Sequence, residues 1–413
     1  MEDPFLFFVG IDWATENHRV CVVDRDGKII AERQVAHSGP GLQQFLTWLQ
    51  QQIPVPPERV AVAIEMPAGA IIETLVEHNY RAFSLNPKQL DRFRDRHTVA
   101  GAKDDSRDAF VLADSLRTDQ HCFHPIYLDD PQIIRIRTLS RLEDSLVQDW
   151  SRLTSQLREQ LHRYFPQLLQ LSPAADDVWI WDVLEAAPLP SLVGQLKRQQ
   201  VQKILSRRRI RRLSAEEVLQ QLRTPPLPVA PGTAEAASEA CLLLITRLRL
   251  LLQQKKEVER RIEEQLSRFC AEEERVEHRD VQLLLSIPGI GRVITATMLA
   301  EASQPLAQRD YHALRAYCGA APVTHQSGKR KRQVIMRYSC NQRLRNAFYH
   351  WARISVQQDG RSRAHYHRLR SKGHSHGRAL RGVLDRLLVM LISMLRHQTE
   401  FDPALRQSIP VAV

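Results

Sequence analysis

Phe5-Leu6-Phe7-Phe8-Val9-Gly10-Ile11-Asp12 is an apolar run that stops on a carboxylate. A second run, Val60-Ala61-Val62-Ala63-Ile64-Glu65, ends the same way. Short runs rich in Val, Ile and Phe mark buried strands. An acid where such a run stops sits at the rim of a sheet, half solvated and able to stay ionised. Asp105 and Asp108 follow in Lys103-Asp104-Asp105-Ser106-Arg107-Asp108-Ala109 and lead into a helix-like stretch ending at Asp114. Their spacing of three puts both on one helical face; by spacing alone, Asp104 and Asp105 both remain open as the partner of Asp108. Anions gathered in this way repel one another unless a cation sits among them. Oxygen-only ligands suit Mg²⁺ or Mn²⁺.

Around these acids, residues 1–125 alternate strand and helix. Apolar segments at 19–23 and 29–35 flank an Asp26-Gly27 turn, a strong hairpin signal. An amphipathic helix is expected over 41–52, then the strand ending at Glu65, a helix over 68–78 and a short strand over 81–85. Three antiparallel strands followed by alternating helices and strands describe a ribonuclease H or RuvC-like domain. That fold places one acid on its first strand, one on its fourth, and one or two on its last helix.

The chain has 413 residues, ample for two or three domains, and a net charge of +11. The charge is concentrated: between His325 and Val383 there are fifteen Lys and Arg against one acid, Asp359, and the remainder sums to −3. An ordinary solvated surface mixes signs, so the tract points to a nucleic-acid backbone. Six cysteines without a Cys-x-x-Cys pair fit reduced thiols in a cytosol rather than a disulfide frame or zinc site. No segment reads as a signal peptide, and the late apolar run from Leu387 to Leu395 is too short to span a bilayer. A cytoplasmic protein with no membrane partner is expected.

The middle region, 126–276, reads as helical. One stripe runs through Leu139, Leu142, Leu146, Trp150, Leu153, Leu157, Leu161 and Tyr164; another runs from Cys241 through Leu248, Val258 and Ile262 to Phe269. Spacings of three and four predict a coiled coil or a helical hairpin. The interval between the stripes reads as irregular. It holds Arg207-Arg208-Arg209-Ile210-Arg211-Arg212, the capping box Ser214-Ala215-Glu216-Glu217, and a Pro-rich linker over 225–232. The arginine run reads as a solvated helix face, with a nucleic-acid contact as the alternative.

A third domain, 277–413, is expected to be mainly helical. Leu283-Leu284-Leu285-Ser286-Ile287-Pro288-Gly289-Ile290-Gly291 and the apolar run after it form a helix-hairpin-helix-like element. Its Gly289 and Gly291 are candidates to offer backbone N–H groups to a phosphate, a purely structural turn being the alternative. Ser327 lies beside Lys329, Arg330, Lys331 and Arg332, which can hold a phosphate next to it. Serine needs a base or a metal to become a nucleophile, and spacing identifies no His-Asp pair for it. His365-Tyr366-His367 and His374-Ser375-His376 suggest metal ligands, but alternate spacing in a basic region favours backbone contact or solvent.

Several pieces occur in one order: Gly10-Ile11-Asp12, Ile64-Glu65, Asp105-x-x-Asp108-Ala109, Ser286-Ile287-Pro288-Gly289-Ile290-Gly291, Tyr317-Cys318-Gly319-Ala320-Ala321-Pro322, Ser327-Gly328 and Arg343-Leu344-Arg345-Asn346-Ala347-Phe348-Tyr349. Together they resemble the DEDD transposases of the insertion-sequence-110 family, related to Piv-type DNA invertases. The resemblance covers roughly 1–125 and 277–400. It implies that Asp12, Glu65, Asp105 and Asp108 bind Mg²⁺ (or Mn²⁺) and that Ser327 attacks DNA through a phosphoserine intermediate. It selects Asp105 over Asp104. Arg337, Arg343 and Arg345 in the same basic tract join the 329–332 cations as candidate nucleic-acid contacts. The partners it implies are donor and target DNA, a structured guide (bridge) RNA, and further copies of the chain in a dimer or tetramer. Two departures stand out. Tyr338-Ser339-Cys340 replaces the usual lysine and glycine, and the 166–232 segment is longer than in compact members. Two rivals follow from the residues themselves. A RuvC-like nuclease would use the acids with water and ignore Ser327, and a non-catalytic binding protein would need only the basic tract. A guide-independent invertase is the third alternative.

Overall fold

The computed structural model describes residues 4–65, 69–97, 105–271, 276–325 and 333–402. The chain divides into two compact units, Met1–Asp129 and Asp130–Val413.

The first unit is a mixed α/β layer structure. Its strands are β1 (Phe7–Asp12), β2 (Asn17–Asp24), β3 (Ile29–Ala36), β4 (Val60–Ile64), β5 (Arg81–Ser84) and β6 (His124–Pro125), in sheet order β3-β2-β1-β4-β5-β6. The first three are antiparallel, with Gly27 at φ 83° in the expected turn. β4 then lies parallel to β1, β5 parallel to β4, and β6 antiparallel to β5. The helices are α1 (Gly39–Gln52), α2 (Ala70–Glu77), α3 (Pro87–His97) and α4 (Asp105–Thr118). This order agrees with a ribonuclease H-like domain.

Side chains on a strand alternate between faces. Val9, Ile11, Val62 and Ile64 pack into one core with Phe45, Leu49 and Leu75. Phe8, Ala61 and Ala63 pack into the other with Ala109, Val111, Leu112 and Ala113 of α4. The approach of α4 to β1 is so close that a Cβ on Gly10 would lie 1.9 Å from the Ala109 carbonyl oxygen and 2.6 Å from the Ala113 nitrogen. Both are backbone atoms, so neither can swing aside. Gly10→Ala is therefore expected to destabilise the first unit by about 1–3 kcal/mol or more, read as a lowered urea midpoint.

The second unit is organised by two long helices, α5 (Pro131–Tyr164) and α10 (Thr233–Ala271). Asp130 caps α5 through the Gln132 N–H, with Pro131 at the first helical position. Leu153, Leu157 and Leu161 of α5 share a core with Cys241, Ile245 and Leu248 of α10. Ile133, Ile136 and Leu146 share a different core with Val258, Ile262, Leu266 and Phe269. The beginning of one helix thus meets the end of the other, an antiparallel pair within one chain.

The interval between the long helices is not irregular, as its sequence suggested. It folds as α6 (Gln167–Leu171), α7 (Val178–Ala186), α8 (Arg198–Arg207) and α9 (Ala215–Leu222). Trp179, Ile180, Trp181, Val201, Val218 and Leu222 are buried in its core. The Ser214–Glu217 capping box forms as expected. One buried acid, Asp182, fastens the arginine run: Arg207 and Arg208 each reach it at 2.7 Å, and Arg249 of α10 at 2.8 Å. Burial pushes the Asp182 carboxyl up, but hydrogen bonds from Arg208, Arg249 and Arg207 outweigh it and hold the group well below the usual carboxylate range. Part of that basic run is thereby committed to holding the fold.

Residues 276–402 add α11 (Val276–Ser286), α12 (Arg292–Ala307), α13 (Tyr311–Tyr317), β7 (Val323–His325), β8 (Gln333–Ile335), α14 (Gln342–Gln358), α15 (Gly360–Ser371) and α16 (His376–His397). They close over the core begun by α5 and α10, with Phe348, Trp351, Leu387 and Leu391 inside. Regions 126–276 and 277–413 lie together in this unit apart from its first four residues, 126–129, which belong to the first. Among the described residues, no helix is long and apolar enough to cross a membrane.

Candidate functional site

Two of the acids end neighbouring strands of the first sheet, and two more lie on the helix that covers it. Ile11 pairs with Ile64 in parallel register, so Asp12 and Glu65 leave adjacent strands at the same level, about 4.8 Å apart in backbone. Alternation puts Asp12 on the face of Gly10 and Phe8, and Glu65 on the face of Ala63. That is the face covered by α4. Asp108 begins the buried stretch of α4 and is 1% exposed, next to the Ala109 carbonyl that touches Gly10. Asp105 stands one turn earlier at the start of the helix, exposed to solvent.

A residue that sequence reasoning missed holds this corner. Arg94 of α3 grips Asp108 with a fork, Nε to Oδ1 at 2.6 Å and Nη2 to Oδ2 at 2.9 Å. Its Nη1 donates to Asp91 at 2.6 Å. Burial pushes the Arg94 guanidinium down, but Asp108, Asp91 and Glu65 together raise it above its ordinary value. Arg94 thus neutralises Asp108 from within the chain and adds positive charge near Glu65. No local spacing signals a pair that spans two helices fourteen residues apart.

The backbone after Asp12 is fixed from behind. The Ala14 N–H donates to His18 Nδ1 at 3.3 Å, so His18 carries its proton on Nε2 and donates to His37 Nδ1 at 2.9 Å. Burial, then His37, lower the His18 pKa, which keeps the ring neutral.

The donor chemistry of these acids fits a divalent ion, since every side chain offers hard carboxylate oxygen. Among the described residues, no three His, Cys, Asp or Glu side chains are drawn together as a ligand set. Asp108 spends both oxygens on Arg94, so it would have to exchange that partner to ligate an ion.

Of the second expected constellation, Ser327, Lys329, Arg330, Lys331 and Arg332 lie outside the described residues, in the connection between β7 and β8. Those strands pair antiparallel, Val323 with Ile335 and His325 with Gln333. Gly289 lies in the turn between α11 and α12 at φ 84°, where a Cβ would meet Ile354 Cγ2 at 3.0 Å. That position needs glycine for conformation and close packing. Gly291 is the N-cap of α12 in extended backbone. Arg343 pairs with Asp144 at 3.3 Å. Arg345 donates to the Arg337 carbonyl and lies over Gly319, so it braces the fold.

Further cations crowd one another on and beside the last helices. Burial pushes the Arg381 guanidinium down, helped by Arg345 and Arg378. Burial, Arg368 and Arg361 do the same to Arg386. Cations that depress one another across α15 and α16 make a positive field suited to a polyanion. His376 is held by two tyrosine hydroxyls, Tyr366 at 2.8 Å and Tyr349 at 3.3 Å. If six to ten phosphates are neutralised, DNA affinity should fall by about 10³–10⁵ between 50 and 200 mM salt; a binding titration checks this.

A mixed sheet with acids at one rim, in a chain that also carries a basic helical unit, has the charge layout that an enzyme acting on nucleic acid needs. Comparison with known proteins makes the class specific. The DEDD transposase family of IS110 matches residues 9–166, and the family described as "Transposase IS116/IS110/IS902 family" matches 281–367. The mini-circle putative transposase for IS117 of Streptomyces coelicolor is 30% identical, over 97% of this chain and 96% of its own length. An IS116 protein of Streptomyces clavuligerus is 27% identical over 96% of each. A putative transposase of Sinorhizobium fredii is 44% identical over 52% of this chain, which spans about 60% of that relative's length. The chain belongs to the IS110 family of insertion-sequence transposases, enzymes that recombine DNA.

Proposed function

We propose that this chain cuts and rejoins the DNA of an insertion sequence through a phosphoserine link on Ser327, guided by a structured RNA encoded with the element. The observation that carries the reading is the placement of Asp12, Glu65 and Asp108 toward one face of the sheet, in a chain of this family. Asp12, Glu65, Asp105 and Asp108 of a RuvC-like domain would hold Mg²⁺ or Mn²⁺. Such ions lower the pKa of a hydroxyl and offset charge on a phosphate under attack.

The remaining steps belong to the protein. The basic tract, with Lys329 to Arg332, holds the backbone so that one phosphate faces Ser327. The serine oxygen bonds to phosphorus as one phosphorus–deoxyribose oxygen bond breaks. The hydroxyl proton passes to water and the departing oxygen takes one up. In rejoining, a deoxyribose hydroxyl of the new partner attacks the phosphoserine and Ser327 is restored. One ester is exchanged for another throughout, so no energy source is needed. The acids and the serine belong to different compact units. In a dimer or tetramer, one protomer's serine can therefore serve another's acids, which restrains a lone subunit from cutting. The enzyme would work in the cytoplasm, at the nucleoid.

Asp105→Ala is expected to reduce recombination of a donor–target plasmid pair by on the order of 10³-fold or more, with DNA affinity kept. Unchanged product would remove these acids from the chemistry. Sequencing the RNA that copurifies with the protein tests the guide: one dominant structured species supports it, and none favours a guide-independent invertase.

A further inference from the structure

We propose that the helices inserted between α5 and α10 carry a separate binding site for the phosphate backbone of duplex DNA, along α8 and the turn after it. The inference rests on the family's action on DNA and is independent of the phosphoserine chemistry.

Residues 195–213 contain eight Lys and Arg and no acid. The fold divides these cations into two groups. Arg207 and Arg208 are anchored on Asp182, Arg198 on Glu216, and Arg212 on Asp177. Lys197, Lys203, Arg209 and Arg211 are exposed and form no ion pair among the described residues. Anchoring the first group fixes where the second projects. Gln202 and Ser206 border two adjoining grooves, one also lined by Lys203, the other by Arg209 and Arg211. The one carboxylate in the lining, Glu217, is occupied by the Ser214 N–H at 2.7 Å. Amide, hydroxyl and guanidinium donors on a shallow surface match phosphate oxygens. No aromatic ring lines either groove, so unpaired bases have nothing to stack on. That favours a duplex over a single strand.

The turn after α8 fixes where Arg209 stands. α8 ends in a Schellman motif, the Ile210 N–H bonding to the Leu205 carbonyl and the Arg209 N–H to that of Ser206. The left-handed position of this motif ordinarily takes glycine. Here it is Arg209, at φ 57°. Arg309, at φ 53°, takes the same position at the end of α12 and is tied to Asp280; Arg209 differs in lining a groove with no ion pair among the described residues.

The test uses the full chain and fluorescein-labelled duplexes of random sequence, one of DNA and one of RNA. Replacing Lys197, Lys203, Arg209 and Arg211 by Gln should reduce the slope of log affinity against log salt on the DNA duplex by about 0.9 for each phosphate no longer neutralised, up to about 3.6. Arg209→Gly should weaken DNA binding without lowering the unfolding midpoint, which a merely structural arginine would not do. In the unmodified protein, bound DNA duplex should protect Lys197 and Lys203 from acetylation, a reading independent of any variant. An unchanged slope with unprotected lysines would overturn the proposal. So would a weakening confined to the RNA duplex, which would assign the groove to RNA. If the slope does not move while Asp105→Ala still abolishes recombination, only this inference fails.

Discussion

Ser327→Ala is expected to remove every covalent protein–DNA link and to suppress recombination by on the order of 10⁴-fold or more, leaving DNA affinity intact. Removing a nucleophile deletes a bond that must form, whereas removing a positioning group only slows its formation. Recombination needs the link, because hydrolysis would discard the ester that rejoining consumes. A nuclease using water would give the opposite pattern: strand cleavage retained, with no adduct at any time. Denaturing gel analysis of protein and labelled DNA, run alongside the plasmid assay, separates the two.

Arg94→Ala should have the largest effect on stability. Asp108 is 1% exposed and both of its oxygens are satisfied by one guanidinium. Truncating Arg94 strands a buried carboxylate, a loss of about 3–5 kcal/mol, measured by urea unfolding followed in the first unit. Arg94→Lys keeps the charge but loses the fork, so it should fall between the two. Divalent ion should raise the unfolding midpoint of Arg94→Ala more than that of the parent, because an ion that binds the folded acids stabilises by linkage. Equal shifts would assign Asp108 to the ion pair alone. A stability loss near zero would show that the fork does not hold Asp108.

The first sheet and its acids were legible because strands of Val, Ile and Phe announce themselves, and two of them, β1 and β4, stop on the carboxylates Asp12 and Glu65. The alternation that turns Asp12 and Glu65 toward α4 follows from the same runs. Arg94 was not legible: its helix, Pro87–His97, is strongly polar, and its partner lies on another helix. The long helices showed their three-and-four spacing, but a stripe does not say what it faces. Here the two stripes face each other within one chain. The 166–232 interval read as irregular because helices of five to ten residues are too short for periodicity to accumulate. Its decisive contact, three arginines on Asp182, joins residues up to 67 apart. For the same reason the run of five arginines looked like one uniform solvated face, when the fold pairs three of them with Asp182 or Asp177 and leaves Arg209 and Arg211 without an ion pair among the described residues.

The claim at the centre is that the acids of the first unit drive chemistry on a serine of the second. Mass spectrometry of tryptic peptides from the protein–DNA complex, formed with Mn²⁺, tests it most directly. A deoxynucleotide phosphate on Ser327 in the parent, and none in Asp105→Ala, is the expected finding. A nucleotide on another residue, or on Ser327 equally in both proteins, would contradict it.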